Sequence, residues 1–261
     1  MKRFFALVLA IVLICCTFTS CDAVLAKFLP PKEDDPLTLI EKADAAMEEA
    51  PFIANMKTEV TTDNEDIKYL ISGMNFEIPI TIDGENISMT MKMDIAQGYS
   101  ANIKLVIVDK VMYYSLSMLG QTARLKAEMT DEQYEDFMGD NSVEPAIEAE
   151  DFEIINVSNV GGGKRIYCSQ IKESAKEKVI DAIDADIDDI TVSDVSYTMI
   201  IKDGKYESVS MVCTCSFEID GQTYAFTQKT SATCSYDDVP SITVPADAKK
   251  YQTVDYDDLV G

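Results

Sequence analysis

Residues 76–95, FEIPITIDGENISMTMKMDI, contain the clearest strand pattern in the sequence. Apolar and polar side chains alternate along both halves of this stretch, which is the two-residue period of a half-buried β-strand. Asp83-Gly84 lies between the halves and is a typical hairpin turn pair. A turn centred on that pair predicts two strands that share one apolar face, with Ile80 opposite Ile87, Ile78 opposite Met89, Phe76 opposite Met91 and Met74 opposite Met93.

Further two-residue turns indicate hairpins elsewhere in the chain, at Asp109-Lys110, Asp203-Gly204 and Asp220-Gly221. Alternating strands joined by short turns form antiparallel sheets in which one face is apolar and the other is polar. The hairpin at Asp109-Lys110 is expected to pair Ile107 with Met112, Leu105 with Tyr114 and Ile103 with Leu116; the last hairpin is expected to pair Ile219 with Gln222, Phe217 with Tyr224 and Cys215 with Phe226.

Helical patterns interrupt the strands at three places. Asp35 is a good helix cap before Pro36, and the apolar residues that follow recur on one face until Pro51 stops the helix. Residues 130–138 open with a Thr-x-x-Gln capping box and end before a glycine. Residues 172–183 place their apolar side chains along one side.

These elements predict an α+β, mainly β fold with a single domain over residues 36–261. A sheet of about ten antiparallel strands cannot stay flat, because strand twist makes a large sheet curl. The expected architecture is therefore a large curved antiparallel sheet, or half-barrel, with about three helices covering its concave face.

The first 20 residues have the organisation of an export signal, with Lys2 and Arg3, an apolar run over 4–14 and then small and polar residues. The apolar run is shorter than the roughly 20 residues that a membrane-spanning helix needs. The sequence FTSC at 18–21 resembles the lipobox of bacterial lipoproteins, although Phe18 replaces the usual aliphatic residue. That resemblance implies that Cys21 is lipidated and becomes the new N-terminus, and an ordinary secretory signal is the alternative.

Residues 21–35 contain two prolines and an acidic run without periodicity, which is typical of an extended, solvated tether. Fully stretched, such a segment reaches roughly 45 Å. The sequence therefore predicts a protein on the extracytoplasmic face of the cell membrane, held by a lipid anchor with its folded domain clear of the lipid.

Composition limits the possible functions. The chain carries 46 acidic and 22 basic residues, a net charge of −24, so nucleic acid is not an expected partner. Histidine is absent, which removes Ser-His and Cys-His nucleophile pairs and every histidine-ligated metal site. We expect a binding protein with neither catalytic residues nor a cofactor, and a carboxylate-dependent hydrolase is the enzymatic alternative.

Two patterns could also indicate metal sites. Met89, Met91 and Met93 lie on one strand face, as thioether ligands of copper(I) can, but facing apolar residues make an ordinary core the better interpretation. The acidic stretch 181–194 lacks the glycine and glutamate that an EF-hand loop beginning at Asp184 would require, so a solvated helix end is expected. No metal site is expected.

Beyond the N-terminal segment the chain has the thiols of Cys168, Cys213, Cys215 and Cys234. Export permits disulfides, and four thiols allow three connectivities. Cys213 and Cys215 are awkward partners for each other, two residues apart in an extended strand, whereas Cys234 could bridge to either. Four reduced and buried thiols are the alternative that we favour.

The order of these features resembles the LolA/LppX-like lipoproteins, including those of anaerobic Gram-positive bacteria. The resemblance rests on the lipobox, the acidic tether, the helix LIEKADAAMEEA at 39–50 followed by long alternating strands, and the segment SITVPADAKKYQTVD at 241–255. It implies a half-barrel with helices in its mouth and a cavity for lipids or acyl chains between them.

The expected function is to bind or carry a lipid or acyl chain between the sheet and the helices. The 13 methionines suit a deformable apolar cavity, and they equally suit a filled core. The alternative is therefore a structural or interaction lipoprotein with no small ligand and an unknown protein partner. The residues expected to line the cavity are Phe76, Ile78, Met89, Met91, Met93, Leu105, Tyr114, Leu116, Met211 and Phe217.

Overall fold

A computed structural model of the chain describes residues 35–65, 67–68, 75–95, 99–141, 151–173, 175, 191–219 and 222–260, so the expected signal peptide, Cys21 and most of the tether lie outside the described residues. The helices are α1 (Pro36–Glu49), α2 (Asp131–Asn141) and α3 (Tyr256–Val260), with a 3-10 helix at Ala248–Lys250. The strands are β1 (Phe52–Thr61), β2 (Phe76–Asp83), β3 (Asn86–Ile95), β4 (Tyr99–Val108), β5 (Val111–Met118), β6 (Gln121–Glu128), β7 (Phe152–Val160), β8 (Gly163–Ile171), β9 (Thr191–Lys202), β10 (Lys205–Ile219), β11 (Gln222–Ser235) and β12 (Gln252–Thr253).

The strands form one sheet of 12 in the order β12-β6-β5-β4-β3-β2-β1-β11-β10-β9-β8-β7. Two meanders, β1 to β6 and β7 to β11, lie side by side, and β1 pairs with β11 where they meet. Neighbouring strands are antiparallel except for β12, which runs parallel to β6. In the described part of the chain β12 and β7 are the edges and do not pair with each other, so the sheet is open. The mainly β class and the large antiparallel sheet are thus confirmed.

The first hairpin has a different register from the predicted one. Asp83 pairs with Asn86, so the turn is Gly84-Glu85 and Ile80 lies opposite Met89 rather than Ile87. Gly84 has φ +61°, and a glycine in that conformation at the first central position is what a type II′ turn requires. The pairing is shifted by two residues, which leaves every side chain on its expected face.

The other hairpins form at the turns that the sequence predicted. Asp109 and Lys110 have φ of +52° and +59°, as a type I′ turn needs, and all the predicted pairs beside them form. Lys202 pairs with Lys205 around the turn at Asp203-Gly204. The predicted pairs of β10 with β11 also form, while residues 220–221 of that turn lie outside the described residues.

Two of the three expected helices are present. The backbone amide of Thr38 donates to the Asp35 carboxylate at 3.1 Å, which confirms the cap of α1. Thr130 and Gln133 exchange the two hydrogen bonds of a capping box before α2, at 3.0 and 3.1 Å. α2 runs on through Gly139, so the predicted end at Met138 is wrong. The expected helix at 172–183 lies almost entirely outside the described residues.

One face of the sheet, here called the inner face, carries α1 and α2 and most of the core. α1 packs on β9 and β10 through Ile40 and Ala43, and Met47 reaches the neighbouring cluster on β1 to β4. The Tyr206 hydroxyl donates to the Asp44 carboxylate at 2.8 Å in a buried position, which fixes α1 over the sheet. α2 and α3 pack over a third cluster on β4 and β5.

The opposite, outer face is covered in part, whereas the sequence predicted a polar face left to solvent. Tyr251 packs edge-on against Tyr113 on β5, with ring centroids 5.4 Å apart. Arg124 on β6 pairs with Asp247 at 3.1 Å. The segment 237–251 therefore lies across this face of β4 to β6, and it leads to β12 at the sheet edge. Since this segment is short and irregular, it lacks the periodic pattern that would have predicted its position.

The join between β1 and β11 contains a buried polar pair that should be sensitive to mutation. The hydroxyls of Thr58 and Thr230 are 3.1 Å apart, their side chains are 0% and 4% exposed, and the Gln228 amide donates to Thr230 at 3.3 Å. Thr230→Val should lower the free energy of unfolding by about 1–3 kcal/mol, because it leaves two buried polar groups without their partner.

Urea unfolding of Thr58→Val, Thr230→Val and the double variant measures the coupling. The double variant should lose less unfolding free energy than the two single variants lose together, since it removes both hydroxyls of the pair. Thr233→Val, at an exposed position on the same strand, is the matched control and should change stability by less than about 0.5 kcal/mol. Strict additivity of the two single losses would contradict the coupling.

Candidate functional site: the inner face of the sheet

The residues expected to line a cavity divide into two groups. Phe76, Ile78, Met91 and Met211 are buried in apolar clusters of the core. Five others are only half-buried, and the Met93 side chain lies outside the described residues. The half-buried members are Met89, Leu105, Tyr114, Leu116 and Phe217.

Three of the half-buried residues belong to one cross-strand line. Met89 pairs with Leu105, Leu105 with Tyr114, and Tyr114 with Leu125, so the four side chains run across β3 to β6 on the inner face. All four are half-buried, and we call them the open row. Three interstrand spacings of about 4.8 Å give the row a length of about 14 Å.

Buried clusters lie on both sides of the open row. Met91 and Ile103 belong to the cluster that Met47 of α1 covers. Ile107 and Met112 lie beyond the row in the opposite direction, beneath Tyr134 of α2. The row is thus a strip of partly accessible apolar side chains between the parts of the sheet that α1 and α2 cover.

Specific contacts hold α2 against the sheet. The Tyr134 hydroxyl donates to the backbone oxygen of Glu85 at 2.7 Å, which ties the helix to the turn between β2 and β3. Lys110 pairs with Asp131 at 2.7 Å and lies 5.5 Å from the centre of the Tyr134 ring. That ion pair is exposed and contributes little energy, so the buried ring and its hydrogen bond are the main anchor.

Tyr114 gives the open row its one polar group. Burial raises the pKa of its hydroxyl further above physiological pH, where a phenol is already neutral. The remaining side chains of the row are aliphatic or thioether. An apolar strip with a single hydroxyl suits a ligand that is largely hydrocarbon and has one polar end.

The sequence analysis missed Leu125, and two of the residues that it expected at the cavity, Met211 and Phe217, lie in the other half of the sheet on β10. Leu125 stands between Arg124 and Lys126, so its strand has no apolar run, and only the pairing of Tyr114 with Leu125 could have indicated it. Phe217 lies on β10, where it stacks on Tyr224 with ring centroids 5.6 Å apart. Met211 is buried in the cluster beneath α1.

A cavity lies on the outer face. It has a volume of about 210 Å³ and lies between β2 to β4 and the segment 240–245. Thr81, Ser88, Lys104 and Val106 form its sheet side, and no sequence pattern predicted it. Its lining is more polar than the open row, so it does not resemble a site for hydrocarbon.

The four cysteines of the described part are reduced thiols, and three of them are buried. Burial raises the pKa of both Cys168 and Cys234 to about 11. Most of the acidic stretch considered for calcium, residues 181–190, lies outside the described residues. Asp194 is exposed, and its carboxylate accepts a hydrogen bond from the Ser193 hydroxyl at 3.3 Å.

Within the described residues, no helix is both long and apolar enough to cross a membrane. No protein-family model matches the sequence, and no curated protein matches it significantly. The LolA/LppX-like resemblance therefore stays an interpretation of sequence patterns.

The raised thiol pKa values predict a loss of stability at alkaline pH. Below pH 9 the thiols are protonated in both states, whereas between pH 9 and about 11 they ionise more readily in the unfolded chain. Two pKa units correspond to about 2–3 kcal/mol for each thiol. Cys168→Ala should therefore show a shallower fall in unfolding free energy between pH 8 and 10.5, and parallel profiles for parent and variant would contradict the prediction.

Proposed function

We propose that this protein is a membrane-anchored extracytoplasmic lipoprotein that holds an acyl chain of a lipid, or of another lipoprotein, on the inner face of its sheet. The observation that carries the proposal is the open row, which leaves Met89, Leu105, Tyr114 and Leu125 half-buried between two closed clusters. Neighbouring apolar side chains that are left partly exposed are characteristic of a binding surface.

The open row has suitable chemistry for an acyl chain. Burial of about ten methylenes would contribute about 8 kcal/mol before the cost of immobilising the ligand. The net affinity should therefore be weaker than about 1 μM, which suits a carrier that must release its ligand. Met89 can adjust to the shape of the chain, and the neutral Tyr114 hydroxyl can bind the polar end of the ligand.

The architecture supports the same function. Twist in a sheet of 12 strands favours a curved half-barrel, and α1 and α2 both lie on the inner face. This arrangement agrees with the resemblance to LolA/LppX-like lipoproteins, whose better-known members hold lipids between such a sheet and its helices.

The membrane anchor is the other half of the proposal. Lipidated Cys21 would join the bilayer to the tether, and the tether leads directly into Asp35 and α1, one of the helices that cover the sheet. Two acyl chains at one residue suffice for stable anchoring. The membrane is therefore the proposed partner, nucleic acid is not, and the chain acts as a binding protein rather than an enzyme.

A structural or interaction lipoprotein with a filled core is the second candidate. Phe76, Ile78, Met91 and Met211, four of the residues expected to line a cavity, are buried against protein neighbours, which favours this alternative. The two candidates differ in whether the open row takes up a ligand.

Leu105→Gln should weaken binding of a fluorescent acyl-chain probe at least tenfold, because the loss of a leucine contact removes about 1.5–3 kcal/mol. The protein should be produced without residues 1–21, which retains every described residue, and probe fluorescence should be titrated. Leu119→Gln is the matched control, since Leu119 is 62% exposed at the turn between β5 and β6, and it should bind like the parent. A parent protein without saturable probe binding would favour the filled-core alternative.

Cys21→Ser should abolish incorporation of labelled palmitate into the exported chain and release the protein from the membrane fraction, because the acylated thiol is then missing. Cys16→Ser, in the segment expected to be removed, should keep both the label and the membrane association. Equal labelling of the two variants would contradict lipidation at Cys21.

A further inference from the structure

Cys213 and Cys215 form a close dithiol in the core. They lie two residues apart on β10, within the sequence MVCTC at 211–215, and their sulfur atoms are 4.0 Å apart. Their side chains are 2% and 3% exposed. Met211, which is also buried, lies on the same face of the same strand.

We propose that Cys213 and Cys215 together bind a soft monovalent cation, Cu(I) or its analogue Ag(I), through their two sulfur atoms. Thiolate and thioether sulfur atoms are the donors that select such ions. Two metal–sulfur bonds of about 2.3 Å each can span the 4.0 Å gap between the sulfur atoms, so one ion can contact both. Met211 lies two residues before Cys213, about 7 Å away along the strand, and is a buried neighbour of the pair rather than a ligand.

The geometry disfavours the other uses of a dithiol. A disulfide needs sulfur atoms about 2.05 Å apart, half the observed separation, and residues two apart on a strand are near the upper Cα limit for one. Structural zinc takes four ligands, and the described residues contain no group of three or more His, Cys, Asp or Glu side chains placed to share an ion.

Exchange of one proton for one monovalent cation leaves the net charge of the buried site unchanged. Binding replaces the proton of the Cys215 thiol with one Cu(I), releases that proton to solvent and forms a sulfur–copper bond without electron transfer, while the Cys213 sulfur donates a lone pair to the same ion. One thiolate and one monovalent cation give a neutral centre, which an apolar core tolerates far better than a charged one.

A β-bulge lies directly beside the dithiol. Val212 pairs with Ser196 and Thr214 with Ser193, so β9 places two residues, Asp194 and Val195, opposite Cys213 alone. Asp194 has φ +51°, an uncommon conformation for a residue other than glycine. Bulges interrupt the hydrogen-bond ladder and redirect side chains, and they are frequent next to functional sites.

Competition for Cu(I) tests the site in the full chain under reducing conditions. A chromophoric Cu(I) chelator is loaded with one equivalent of Cu(I), and the protein is titrated into it. Cys213→Ser and Cys215→Ser should each compete with the chelator with an affinity for Cu(I) at least tenfold lower than that of the parent. Cys168→Ser and Cys234→Ser are the matched controls and should compete like the parent, because neither thiol belongs to the close pair.

Met211→Leu is a further control, with a substitution that conserves volume beside the pair. It should compete for Cu(I) like the parent, while circular dichroism and urea unfolding show an intact fold. Native mass spectrometry with Ag(I) gives a second readout, with one bound ion in the parent and one fewer in Cys215→Ser. The proposal would be overturned if all four cysteine variants kept the parent's affinity for Cu(I), or if all four lost it to the same extent. The dithiol is on β10 and the open row on β3 to β6, so either site can fail without the other.

Discussion

The pairing of β1 with β11 holds the two halves of the sheet together. Within the meanders most neighbouring strands are close in sequence, although residues 62–75 separate β1 from β2 and residues 172–190 separate β8 from β9. The join of β1 with β11 instead brings together strands separated by about 170 residues, from Ile53 opposite Ser235 to Thr61 opposite Thr227. Such long-range pairing is entropically expensive and slow to form. Once formed, it makes the apolar sides of the two meanders one inner face, and α1 covers that face beside the join.

Alternation along each strand made the sheet and its inner face predictable, because the face of a residue depends only on whether its position is odd or even. The first hairpin shows this, since a pairing shifted by two residues left Ile80 and Met89 on the predicted side. The exact turn, the end of α2 and the join of the meanders were not predictable, since each depends on energies or contacts that no local pattern encodes. The position of 237–251 on the outer face depends in the same way on contacts made after folding.

The candidate site was predictable as a face and not as a set of residues. Met89, Leu105 and Tyr114 were expected on it, together with Phe76 and Ile78, which are buried. What separates the two groups is the area that α1 and α2 cover, and helix docking is a tertiary property. Leu125 shows the reverse case, in which a charged strand contributes an apolar residue to the row.

The last strand, β12, covers the flank of β6 at one edge of the sheet. β12 pairs with β6 over Leu125 and Lys126, and the Val254 amide donates to the Lys126 oxygen at 3.0 Å. β12 comes after all the other strands in the sequence, so during synthesis the flank of β6 stays available to foreign strands until this segment docks. A chaperone that shields this flank from self-association would therefore be most useful late in synthesis, just before residues 252–253 emerge.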